Sequence, residues 1–443
     1  MSMTDPKPEN PERPPRLGPR PLPLYLTTAM LNWSGSRLAS ESLRSGLPLL
    51  NPGLATLQRD LERQLRDSAG ETAGSDAPDA SASGPGASAS GIEKETWNAF
   101  VAAVDQAILE RSQDLLDAVL MYRRHPYVRE TEPAPVAWRS GSTALLDYGT
   151  RNLDGPPVLV VPSLINRYYI LDLRPGRSLL RYLESLGFRP FVVDWDRPGP
   201  GETRFSLTDY VAGRLDQALD AVRAITGKPP VVLGYCMGGL LALALATRRQ
   251  ADIRALGLLA TPWDFSAGAP PVAAFLPLLR PFLTTASDRG HEVGTDLLQA
   301  LFHMLDPMLV IKKFLRFRSL DADGAEAIDF VALEDWLNDG VPLMGPVAAE
   351  AFLDWYGENT PARLQWKIAG RIVDPTEITL PTSIVIPSRD RIVPPPSAEA
   401  LAAALPHAET LRVPLGHVGM MASSNAEKAV WEPLGAWMEE TIR

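Results

Sequence analysis

The stretch "VVLGYCMGGLLALALA", residues 231–246, runs from short apolar strand residues through a glycine-flanked turn into a long apolar helical pattern. Gly234-Tyr235-Cys236-Met237-Gly238 has the spacing of a nucleophile elbow, the strand–turn–helix device that exposes a reactive side chain at the end of a strand. Glycines at 234 and 238 let so sharp a turn close without Cβ clashes. The elbow normally carries serine; here it carries Cys236, the only cysteine in the chain. At the N-terminus of the following helix, free N–H groups and the helix dipole favour a thiolate.

Outward from the elbow, apolar runs alternate with helical patterns. Strands are predicted at 156–165, 188–195, 229–235, 253–260, 382–388 and 408–414. Continuous apolar strands separated by helices imply an α/β fold: a mainly parallel sheet with helices on both faces. Between the strands ending near Ala260 and starting near Thr382, the interval is too long for a connection, so 265–375 reads as an inserted, mostly helical cap. The core is therefore expected over 140–264 and 376–443. Residues 92–139 read as an N-terminal helix and lead-in, the helix running to 124 with Trp97, Val101, Val104, Ile108, Leu115 and Val119 along one face and ended by Pro126. Residues 1–91 read as a partly helical extension, with 1–24 proline-rich and disordered, 25–67 partly helical and 68–91 a low-complexity linker.

Composition sets the bounds. The chain has 443 residues, 45% hydrophobic and 22% charged, as expected of a globular protein with a large core. A net charge of −10 argues against nucleic-acid binding. One cysteine excludes an internal disulfide and points to a reducing, cytoplasmic setting. No apolar stretch has the length of a membrane span, no secretory signal is expected at the N-terminus, and no metal-ligand spacing or phosphate loop occurs.

A nucleophile needs a base and an orienting acid. Of five histidines, His417 in "VPLGHVGM" directly follows the last predicted strand, where this chain order places the base; His407, just before that strand, reads as a surface residue, His125 precedes the elbow, and His291 and His303 fall in the cap. Asp390 in "IVIPSRDRIVPP" ends the preceding strand and is the expected acid, with Asp264 the second candidate; Asp194 precedes the elbow. The expected triad is Cys236–His417–Asp390, with an oxyanion held by the backbone N–H of Met237 and a second N–H from the loop at Ser163, Leu164 and Ile165. A cysteine acyl-enzyme is itself a thioester, so exchange with a thioester donor is nearly thermoneutral and the acyl group stays activated. The residue type therefore favours acyl transfer from a thioester such as acyl-CoA over simple ester hydrolysis.

"GYCMGG", "VVPSLINRYYILDLRPGRSLLRYLESLGFRPFVVDW" and "RDRIVP" followed by "GH" resemble the polyhydroxyalkanoate synthases over roughly residues 140–440. The resemblance implies an α/β-hydrolase fold and polymerisation of (R)-3-hydroxyacyl-CoA into storage polyester. It also implies a chain attached to Cys236, with His417 as base and Asp390 as its partner and as a further activator of the monomer hydroxyl. No cofactor is implied beyond the CoA thioester substrate. A polyester granule surface and a second copy of the chain are the expected partners. The segment "DRIVPPPS" departs from the family, placing Arg391 and Pro395 where synthases usually carry His and, a little later, Trp. A cysteine hydrolase of the same fold (thioesterase, esterase or depolymerase) and a non-catalytic granule protein are the alternatives. The basic run "IKKFLRFR" (311–318) carries Lys312, Lys313 and Arg316; it is expected to meet CoA phosphates, to rest its apolar side on a polymer surface with the help of the uncharged stretch 265–279, or to form a solvated face.

Overall fold

The computed structural model describes residues 16–44, 89–131, 134–268 and 272–443. It divides into two compact units: Met1–Pro21 with Tyr122–Pro307 and Leu320–Arg443, and Leu22–Met121 with Met308–Ser319.

The first unit is built on an eight-stranded sheet: β1 (Val136–Ser140), β2 (Thr143–Asp147), β3 (Pro157–Val161), β4 (Arg189–Asp194), β5 (Val231–Tyr235), β6 (Ala255–Leu259), β7 (Thr382–Pro387) and β8 (Ala408–Val413). Their order across the sheet is β1-β2-β4-β3-β5-β6-β7-β8. All neighbours from β4 to β8 pair in parallel, whereas β2 is antiparallel to both β1 and β4. Residues 231–235 and 255–259 are buried throughout, as strands covered on both faces must be. The six strands read from the sequence are all present. The hairpin β1–β2 is an addition that begins before the expected core boundary at 140. Only its outer strand β1 lies at the sheet edge and is partly exposed; β2 beside it is buried throughout, and neither five-residue strand shows an alternating pattern.

Two further corrections concern the N-terminal part. Residues 16–21 are not disordered. The Arg16 guanidinium bonds Asp335 at 2.6 Å and the carbonyl of Tyr127 at 2.5 Å, and Arg20 N–H donates to Asn338 Oδ1 at 2.8 Å. Helix α1 (Leu22–Arg44) then begins within the stretch read as disordered. Helix α2 (Ala89–Arg124) starts inside the expected linker and ends, as expected, just before Pro126. Along α2, Leu115 and Val119 are buried. The rest of the stretch expected to be partly helical, 45–67, and the linker up to residue 88 lie outside the described residues.

Helix α3 (Met237–Arg249) leaves the elbow and is buried over 237–247. The interval between β6 and β7 is mostly helical: α4 (Val272–Arg289), α5 (Thr295–His303), α6 (Leu309–Arg318), α7 (Ala325–Asn338) and a helical stretch over 345–357. Of these, α6 belongs to the second unit, together with α1 and most of α2. Its stripe Ile311, Phe314 and Phe317 is buried, and Arg318 pairs with Asp114 and Asp117 at 3.1 and 3.3 Å. Among the described residues no helix is long and apolar enough to cross a membrane, and no His, Cys, Asp and Glu group is placed to hold a metal ion.

The elbow is packed backbone against backbone. A Cβ on Gly238 would sit 2.1 Å from the Val161 carbonyl oxygen, and one on Gly234 would sit 2.5 Å from Gly239 Cα. Gly213, by contrast, faces open space. Gly238→Ala should therefore lower the unfolding free energy by about 1–3 kcal/mol through overpacking. Gly213→Ala should leave it unchanged or raise it slightly, with urea unfolding as the measurement.

Candidate active site

Cys236 stands where β5 turns into α3, with φ 57° and ψ −127°. A non-glycine residue in that region is strained, and here the strain is held from both sides. Its N–H donates to the Leu259 carbonyl at 2.9 Å, and its own carbonyl accepts from Gly239 N–H at 2.9 Å. A Cβ on Gly239 would strike Thr261 Oγ1 at 1.9 Å, so the third glycine of "GYCMGG" is required by the end of the neighbouring strand. The Met237 N–H, at the first position of α3, is one of the helix-end donors without a partner inside the helix.

His417 lies on the loop after β8 and Asp390 on the loop after β7. Their side chains meet at 2.7 Å, His417 Nδ1 to Asp390 Oδ2, with 6% and 0% side-chain exposure. Asp390 Oδ1 accepts two backbone N–H bonds, from Ile392 and Val393, both at 2.8 Å. A carboxylate so fully engaged keeps its orientation, and it fixes the proton of a neutral His417 on Nδ1, leaving Nε2 as acceptor. Tyr235 supports the loop from below, donating its hydroxyl to the His417 carbonyl at 3.1 Å, with the two rings 5.3 Å apart. Burial works against a charged His417 ring. Negative charge at Cys236 and Asp390, with hydrogen bonds to both, outweighs it and pushes the ring up to about 10. Cysteine, histidine and aspartate thus form one electrostatic unit at the end of the sheet.

The other candidates lie elsewhere. Asp264 Oδ1 accepts from Asn359 Nδ2 at 2.8 Å and Ser266 N–H at 2.9 Å, so it fixes a turn and is not the acid beside His417. Asp194 Oδ1 accepts from Asp196 N–H, and burial raises its carboxyl. His125 is a packed residue bonded to Ala322 O at 2.7 Å, while His407 and His291 are exposed. In the loop after β3, Ile165 N–H donates to Ser163 Oγ at 3.2 Å, which occupies that expected oxyanion donor. Leu164 buries its side chain in the core beneath the loop. On α6, Lys312 and Arg316 are exposed and Lys313 lies 6.0 Å from the Phe314 ring.

Two clefts meet at Cys236, of about 650 and 640 Å³ including the space open to solvent. One carries polar groups around the sulfur: Ser163, Asn166, Arg167, Gln299 and His417. The other is walled by Met237, Phe265, Leu301, Phe352, Trp355 and Tyr356. Sequence reasoning missed most of the residues that brace these walls. Trp195 Nε1 donates to the Pro162 carbonyl at 3.0 Å, and Trp336 Nε1 to that of Arg167 at 2.7 Å. Val341 N–H donates to the Ile165 carbonyl at 2.9 Å. Arg167 in turn pairs with Asp196 and lies 3.7 Å from Asp339. "INRYYILDL" is thus the segment on which the residues after β6 are seated, which accounts for so distinctive a run of polar and aromatic residues.

The raised His417 proton affinity has a consequence for stability. In the unfolded chain the ring titrates near 6.5, so its contribution is complete below about pH 6.5 and is lost as the pH rises toward 10. Urea unfolding between pH 6.5 and 10 should show this loss in the wild type. The loss should shrink in Cys236→Ala, which removes the strongest of the charges favouring the imidazolium.

Comparison with known proteins agrees with this geometry. Residues 156–422 match the family model of the alpha/beta hydrolase fold. The chain is 28% identical over 316 residues to a Poly(3-hydroxyalkanoate) polymerase subunit PhaC of Haloferax mediterranei, covering 70% of this chain and 64% of that protein. It is 27% identical over 333 residues to the subunit of the same name from Synechocystis sp., covering 73% and 82%. With that of Cupriavidus necator it shares 31% over 290 residues, covering 62% and 47%. The chain spans 64% and 61% of the lengths of the two haloarchaeal relatives it matches. With a cysteine on the elbow, a His–Asp pair on the loops after the last two strands and a family match over more than half its length, the chain belongs to the alpha/beta hydrolase fold family.

Proposed function

We propose that the chain is an acyltransferase that polymerises 3-hydroxyacyl groups from CoA thioesters, carrying the acyl chain as a thioester on Cys236. The observation that carries this reading is the cysteine itself, strained at the elbow and electrostatically coupled to the buried His417–Asp390 pair. Similarity to Poly(3-hydroxyalkanoate) polymerase subunits supports the choice of substrate.

In the proposed cycle, His417 Nε2 takes the thiol proton and Cys236 Sγ attacks the thioester carbonyl carbon. The carbonyl oxygen becomes an oxyanion facing the Met237 N–H at the start of α3, where donor and helix dipole both favour negative charge. The bond to the CoA sulfur breaks, and that sulfur leaves with the proton from His417. The hydroxyl of a further 3-hydroxyacyl thioester then gives its proton to His417. Its oxygen attacks the acyl carbon on Cys236, an ester bond forms, the Cys236 C–S bond breaks and His417 returns the proton to Sγ. The lengthened chain, now on CoA, is taken back by Sγ in the same way. Asp390 acts only through His417, because both its oxygens are engaged and its side chain has no exposed surface. A direct role for it at the monomer hydroxyl is not part of this proposal. Two other parts of the reading stand beside it. The exposed Phe275, Leu278 and Phe282 on α4 form an apolar face suited to a polyester surface. Lys312, Lys313 and Arg316 supply positive charge for CoA phosphates.

Purified protein given 3-hydroxybutyryl-CoA should release CoA and form polymer. Free hydroxy acid instead would identify a hydrolase, and no CoA release would overturn the enzyme reading. Cys236→Ala should abolish CoA release, and Cys236→Ser should keep a trace. His417→Ala and Asp390→Asn should each cost several orders of magnitude, with losses that do not add, because the three residues act as one unit. His407→Ala should cost little.

Charge reversal at Lys312 and Lys313 should raise KM for acyl-CoA more at low than at high salt, with kcat nearly unchanged. An unchanged KM at low salt removes the phosphate role.

A further inference from the structure

The apolar cleft beside Cys236 carries one side-chain hydroxyl, that of Tyr356. Its ring is clamped, 4.8 Å from Phe265 in an edge-on contact and stacked 6.1 Å from Phe352. Neither aromatic neighbour can take a conventional hydrogen bond from the phenol, and the hydroxyl has no hydrogen-bond partner among the described residues. The cleft's other side-chain donor, Trp355 Nε1, is buried and likewise has no hydrogen-bond partner among the described residues. Burial, with negative charge at Cys236 and Asp390, pushes the Tyr356 phenol above its ordinary range, so it remains a donor at any working pH. Of the groups that carry those charges, Cys236 lines the same cleft.

A 3-hydroxyacyl group placed on Cys236 brings two polar features into this space. The carbonyl oxygen is provided for by the Met237 N–H. The 3-hydroxyl would lose water against aromatic and aliphatic walls, at a cost that only a hydrogen-bond partner offsets. We infer that Tyr356 is a substrate-positioning residue that hydrogen-bonds the free 3-hydroxyl of the first acyl group placed on Cys236, so that at priming the cleft selects hydroxyacyl over plain acyl thioesters. The inference rests on the acyl-transfer reading above and adds to it the group that recognises the hydroxyl. A site built to bond a hydroxyl discriminates strongly against the analogue lacking it, because its own polar group is then left unpaired.

The test compares wild type and Tyr356→Phe in single-turnover acylation, following CoA release from 3-hydroxybutyryl-CoA and from butyryl-CoA. The wild type should prefer the hydroxylated substrate. Tyr356→Phe should lose about 10- to 100-fold in acylation by 3-hydroxybutyryl-CoA, the worth of one buried hydrogen bond, while butyryl-CoA stays within about twofold. The butyryl-CoA rate on the same variant also reports that the fold and the triad are intact. Equal losses on both substrates, or no loss on either, would overturn the inference while leaving the acyl-transfer reading standing. A wild type that releases CoA from neither substrate would overturn that reading, and this inference with it.

Discussion

The site depends on a single close approach of backbone to backbone. Where β5 turns into α3, there is no room for a Cβ at 234, 238 or 239, because Gly239 Cα, the Val161 carbonyl and the Thr261 side chain already occupy the space. That contact draws the first turn of α3 against the ends of β3 and β6. It also forces Cys236 into a backbone conformation that a side-chain-bearing residue rarely adopts. A strained residue persists only where its surroundings over-determine it, and here strand, helix and adjoining strand end do so together. The result is a sulfur presented at the rim of the sheet, next to a helix-end N–H that has no partner within its own helix.

Asp390 and His417 are held by a different device. The loops after β7 and β8 are neighbours only because those strands pair in parallel, from Thr382 with Ala408 to Pro387 with Val413. Parallel pairing puts both C-terminal ends on the same side of the sheet as the elbow, which is where ligand sites form in such sheets. Two backbone N–H groups and one imidazole then saturate the Asp390 carboxylate. Buried carboxylates are costly unless so satisfied, and satisfaction also fixes direction.

The residues between β6 and β7 give the site its walls. They contribute the aromatic cluster Phe265, Phe352, Trp355 and Tyr356 on one side of the sulfur and Gln299 and Trp336 on the other. Their hold on the ends of the strands runs through main-chain carbonyls of the loop after β3, bonded by Trp336 Nε1 and Val341 N–H.

The sequence by itself located the elbow, six strands of the sheet and, as candidates, Cys236, His417 and the aspartates Asp390 and Asp264. These rest on local patterns: glycine spacing, continuous apolar runs of strand length, and histidine and aspartate directly after such runs. Even the corrections follow physical lines. The hairpin β1–β2 lies at a sheet edge with weak periodicity, and residues 16–21 are ordered by Asp335 and Asn338, more than 300 positions away. Only the tertiary structure decided between Asp390 and Asp264, since both follow strands and the choice depends on which loop faces His417. Only it showed that Ile165 spends its N–H on Ser163, and that Tyr356 shares a cleft with Cys236, 120 residues earlier in the chain. Such pairings leave no trace in local sequence, because the residues involved are brought together by the sheet order and by the return of a long segment over the strand ends.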